Sequence, residues 1–88
     1  IPFGSLVELG IIKPGTTIFD NKKKIKAKIM ADGSIKHDLT EGSIHKVAAA
    51  ILGAESCNGW TYWHYNLDGV VVPIDQLRQR LVKNSQLL

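Results

Sequence analysis

At 88 residues, with 44% hydrophobic and 22% charged side chains and a net charge of +3, the chain is one small domain, near the lower limit at which a core holds without metal or disulfide. Cys57 is the only cysteine, so no intrachain disulfide forms; without CxxC or a Cys/His cluster no closed zinc site is expected, which favours a reducing interior, the cytoplasm or nucleus. No run of about 18 apolar residues marks a membrane span, and the opening Ile1-Pro2-Phe3, lacking a starting methionine or a signal pattern, suggests a fragment of a longer chain.

Along the chain, Ser5 to Ile12 reads as a short helix ending near Gly10, closed by Lys13-Pro14-Gly15. Thr16 to Asp20 and Lys24 to Met30 read as two strands flanking Asn21-Lys22-Lys23, and the second alternates lysine with apolar residues, the mark of a half-buried strand. Asp32-Gly33 turns the chain into a third strand, Ser34 to Asp38, and Leu39 to Gly42 reads as a connection. From Ser43 the period becomes helical: Ile44, Val47, Ala48, Ile51 and Leu52 share a face, and Gly53 is placed to end it.

The segment Ser56 to Tyr65 holds four of the six aromatic residues behind an Asn58-Gly59 turn signal. Read as a strand, it puts Trp60, Tyr62 and His64 on one side and Thr61, Trp63 and Tyr65 on the other, so that one side packs while the other recognises a partner. Leu67-Asp68-Gly69 then turns it into the short strand Val70 to Val72, stopped by Pro73. A final helix carries the apolar stripe Ile74, Leu77, Leu81 and Val82, with Asp75 in its first turn, before a tail from Asn84 that is expected to fray. The sum is an α+β single domain, a mostly antiparallel sheet of about five strands with about three helices on one face.

The basic excess lies in the first half, where seven lysines face Glu8, Asp20, Asp32 and Asp38. Lys22, Lys23, Lys24, Lys26 and Lys28 supply most of it, as a phosphate-facing stripe or as a solvated face whose lysines guard a sheet edge. Catalytic readings find little. Cys57 has no neighbour that forces its thiol to ionise, the spacings of His37, His45 and His64 match no metal pattern, and no phosphate loop, GxGxxG or paired carboxylates occur. Binding reads better. Gly42-Ser43-Ile44-His45-Lys46 offers free N–H groups at a helix start with a hydroxyl, an imidazole and an ammonium within one turn, a setting for phosphate. In Asn58-Gly59-Trp60 an amide suits a base edge and an indole suits an unpaired base. The competing readings make Ser43 a helix cap, Asn58 a turn former and Trp60 a core residue.

The succession Leu9-Gly10-Ile11-Ile12-Lys13-Pro14-Gly15, Ala31-Asp32-Gly33, Gly42 to Lys46, Cys57 to His64 and Pro73 to Arg78 resembles the restriction/adenine-methylase-associated (RAMA) domain. More closely, it is similar to the C-terminal domain of the cell-cycle-regulated adenine methyltransferases of alphaproteobacteria. The resemblance implies a DNA-binding domain of a dimeric enzyme that moves a methyl group from S-adenosylmethionine to adenine N6 in GANTC sites. The catalytic and cofactor motifs of that enzyme lie in a larger domain, so this chain holds no cofactor itself. The implied partners are double-stranded DNA, the catalytic domain and a second copy, in a bacterial, nucleoid-associated setting with no membrane. Carried over by position, the family's DNA-contacting serine, asparagine, tryptophan and arginine fall on Ser43, Asn58, Trp60 and Arg78, and His45 and Lys46 join them from the same helix start. Lys22, Lys23, Lys24 and Lys26 form a second, weaker set of DNA-backbone candidates, to which the resemblance does not extend residue by residue. Two other readings remain open: a RAMA-type reader or interaction module outside any methyltransferase, and a dimerisation module with Trp60 and Tyr62 buried between subunits.

Overall fold

The computed structural model describes residues 2–87, with side chains through residue 81. Helix α1 (Phe3–Glu8) buries Phe3 and Leu6, and the chain leaves it through Gly10 at φ 73°. Strands β1 (Thr17–Phe19), β2 (Lys26–Ile29) and β3 (Ile35–His37) make the expected antiparallel meander, each shorter than the sequence pattern suggests. Their turns are built by aspartates. Asp20 Oδ1 accepts the N–H groups of Lys24 and Ile25 at 2.7 and 3.1 Å. Asp32 Oδ1 accepts the hydroxyl and the N–H of Ser34 at 2.6 and 3.0 Å, and these bonds hold its carboxyl below the ordinary value.

The segment read as a connection contains a strand, β4 (Thr40–Gly42), paired to β3 with Lys36 opposite Glu41. Thr-Glu-Gly carries no apolar alternation, so the pairing comes from the turn: Asp38 takes φ 54° and reverses the chain, leaving Leu39 exposed at its tip. Helix α2 (Ile44–Leu52) starts at Ser43 and ends at Gly53, φ 66°, as its pattern indicates. The aromatic segment departs most from expectation. Gly59–Tyr62 is a single helical turn, α3, and the strand begins only afterwards as β5 (His64–Leu67), so the proposed alternation of Trp60, Tyr62 and His64 along one strand does not hold. Asn58-Gly59 opens a helix here instead of forming a turn ahead of a strand. β6 (Val70–Pro73) pairs with β5, and α4 is Asp75–Leu87.

The sheet order is β4-β3-β2-β1-β5-β6, all antiparallel, so six strands and four helices stand among the described residues. One face is apolar. Ile18, Ala27, Ile29, Ile35, Tyr65 and Val72 pack there against Phe3, Leu6, Ile44, Val47, Trp60 and Leu77 from the helices and Ile74 from the turn before α4. Ile44 and Val47 are 2% and 0% exposed, and burying each contributes roughly 1.5–3 kcal/mol. The Tyr65 hydroxyl is buried without a hydrogen-bond partner, and burial pushes its phenol above the ordinary value. The alternate residues Lys26, Lys28 and Lys36 project exposed from the other face, which no helix covers among the described residues.

Candidate nucleic-acid interface

Two helix starts meet at one junction. At the first, Ser43 has extended backbone and its Oγ accepts the N–H of Lys46 at 3.0 Å, the bond expected of a cap. The hydroxyl proton stays free to donate outward. Lys46 is exposed, and its stem lies so close to Gly42 that a Cβ there would meet Lys46 Cδ at 3.0 Å. At the second start, Asn58 Oδ1 accepts the N–H of Trp60 at 3.0 Å. Its acceptor is thereby engaged within the chain, and the exposed side chain presents mainly its amide protons to a partner.

Three contacts weld the starts together. The N–H of Gly59 donates to Nδ1 of His45 at 2.9 Å, and the indole N–H of Trp63 donates to the Ile44 carbonyl at 2.9 Å. Between them the backbones touch: a Cβ at Gly59 would stand 2.5 Å from the Ile44 carbonyl carbon, so only glycine fits. Because Nδ1 of His45 accepts, the neutral ring carries its proton on Nε2, on an exposed side chain. The result is a rigid surface bearing a hydroxyl, an Nε2–H, an ammonium and an amide.

Trp60 lies beneath this surface, 5% exposed, with Phe3 edge-on at 5.9 Å. The Arg78 guanidinium from α4 sits over its ring at 4.6 Å. That guanidinium is also in ion-pair contact with Asp75 Oδ1, an oxygen that receives no hydrogen bond of good geometry, so the attraction is electrostatic and not a directed bond. Trp60 therefore presents no open face for a base while Arg78 stays in place.

Ser43, His45, Lys46 and Asn58 thus gather at the junction, with Trp60 below and Arg78 over Trp60. The lysine set does not join them. Lys22, Lys23 and Lys24 occupy the β1–β2 turn, where Lys23 takes φ 60° with Nζ 5.3 Å from the Phe19 ring centre, and Lys26 projects from the helix-free face. Among the described residues no group of three or more His, Cys, Asp or Glu is placed to hold a metal ion. Two residues essential to the junction escape a reading of the sequence for chemistry: Gly59 and Trp63. A glycine between a capping amide and a large aromatic is the available signal for Gly59, since such a position marks close backbone approach.

A family model described as Restriction Enzyme Adenine Methylase Associated matches residues 1–87. The chain is also similar to the Type II methyltransferase M.HinfI of Haemophilus influenzae, 30% identical over 78 residues that cover 89% of this chain. The match spans 22% of that relative's length.

Proposed function

Since the chain belongs to the Restriction Enzyme Adenine Methylase Associated family, we propose that it is the DNA-engaging domain of a site-specific adenine-N6 methyltransferase, with GANTC as its target. Methyl transfer from S-adenosylmethionine then belongs to a separate catalytic domain, and the working unit is a homodimer in the bacterial cytoplasm. The observation that carries the reading is the welded junction: the Gly59–His45 bond ties together two helix starts whose exposed side chains carry a hydroxyl, an imidazole, an ammonium and an amide. Such a face suits phosphate oxygens, which accept from hydroxyl, imidazole, ammonium and amide donors alike. Ser43, His45 and Lys46 grip the backbone and Asn58 donates to a backbone or base acceptor.

Methylation of adenine inside a duplex requires the base to leave the stack, and the displaced nucleotides need a place to settle. Arg78 and Trp60 supply it in sequence. A phosphate draws Arg78 off the indole, and the uncovered ring takes a base. The test is titration of the chain against labelled duplexes with and without GANTC, at two salt concentrations, beside a Lys46→Gln/Arg78→Gln variant checked for folding. Salt-sensitive binding that this variant weakens supports the reading, and preference for the site supports the target. Undiminished binding by the variant would sink it.

A further inference from the structure

We propose that the helix-free face of the sheet is a second nucleic-acid surface, on which Lys26, Lys28 and Lys36 hold a DNA sugar–phosphate backbone. This goes beyond the junction of α2 and α3, because the three lysines lie on the opposite side of the sheet from the helices.

Lysines on a sheet commonly guard an edge against pairing with another chain. That explanation fails here. β2 lies between β3 and β1, and β3 lies between β4 and β2, so all three lysines sit on interior strands. Register concentrates them: Lys28 is directly opposite Lys36, and Lys26 is two residues along β2 on the same face. From strand geometry the neighbouring Cα atoms are about 5–7 Å apart. Like charges directly opposite are unfavourable in a sheet, and solubility alone is served as well by mixed signs. The one acid in register is Glu41, opposite Lys36, and among the described residues no carboxylate makes an ion pair with any of the three. The Lys22 to Lys24 turn extends the positive field from one end of β2.

A duplex supplies the complement, with one negative charge per about 1.7 Å of its axis. Ammonium groups read no bases, so the face adds affinity without sequence preference. On this arrangement the domain touches DNA on two sides, through a shaped junction and a plain cationic sheet.

The test uses Lys26→Gln/Lys28→Gln/Lys36→Gln beside the Lys46→Gln/Arg78→Gln variant, with folding checked by circular dichroism and urea midpoint. A Lys26→Arg/Lys28→Arg/Lys36→Arg variant controls for fold. The expected result is that the glutamine triple weakens binding equally for duplexes with and without the preferred site. It should also lower the slope of log affinity against log salt by about 2–3, at about 0.9 per phosphate contact, while the arginine triple binds like the parent. Parental slope and affinity in the glutamine triple would overturn the proposal whatever the junction variant does, and so would an absence of binding by the parent chain at low salt. Loss confined to the junction variant leaves the junction reading standing and removes this one. If the triple loses binding to phosphatidylserine vesicles but keeps its DNA affinity, the face belongs to a membrane surface and the proposal falls.

Discussion

The backbone N–H of Gly59 donates to Nδ1 of His45 over 2.9 Å, tying the start of α3 to the first turn of α2. The bond fixes which ring nitrogen is bare. It predicts that the neutral ring is the Nε2–H tautomer, visible in two-bond nitrogen–proton correlations of the imidazole. His45→Ala leaves the Gly59 donor without its partner and is expected to cost about 1–2 kcal/mol in urea unfolding. A spectrum showing the proton on Nδ1 would contradict the assignment.

Gly59→Ala tests the contact between backbones. The added Cβ would meet the Ile44 carbonyl carbon at 2.5 Å and its oxygen at 2.6 Å, both backbone atoms that cannot swing aside. A destabilisation of about 1–3 kcal/mol is expected, with loss of DNA binding alongside it. A stable, fully binding Gly59→Ala chain would mean that the junction is looser than described.

Trp63→Phe keeps an aromatic ring in a site that is 0% exposed but deletes the indole donor to the Ile44 carbonyl. The expected cost is about 1–3 kcal/mol, from an orphaned carbonyl and a partly emptied site. Equilibrium unfolding gives the number, and a midpoint equal to the parent's would remove Trp63 from the account.

Arg78→Ala should uncover Trp60. With Trp63 replaced by Phe to leave one indole, acrylamide quenching of fluorescence is expected to rise in the Arg78→Ala chain, and by the proposed mechanism a stacked base is expected to quench the indole directly when duplex is added to the chain that keeps Arg78. The stability change should stay small, about 0.5–1 kcal/mol, because the Arg78 side chain is 36% exposed. Unchanged quenching in both cases would leave Trp60 as a core residue and nothing more.

The β2–β3 turn has a pH signature. Hydrogen bonds from Ser34 hold the Asp32 carboxyl below its ordinary value of 3.8, so its contribution is complete above that value and is lost as pH falls through the lower folded one. Ser34→Ala should flatten this acid-side dependence. Parallel acid unfolding curves for the two chains would show that the turn contributes nothing to it.

Much of the architecture was legible because it is written in local pattern. The lysine alternation of β2, the helical period from Ile44 to Leu52 and the left-handed Gly53 are each determined within a few residues. The strand at Thr40–Gly42 was not, since it is held by its neighbour's backbone and not by its own side chains. The Asn58-Gly59 pair was read as a turn because the same amide chemistry serves turns and helix starts; packing on Ile44 decides between them.

The sequence by itself determined an α+β domain, the start of α2 at Ser43 and the polar residue types of the junction, because caps and periods act over three or four positions. Only the tertiary structure decided that His45 spends Nδ1 on Gly59, that Arg78 covers Trp60, and that Lys26, Lys28 and Lys36 share an interior, helix-free face. Each of those joins residues far apart in the chain, or depends on which strands flank which, and spacing along the sequence carries no such information.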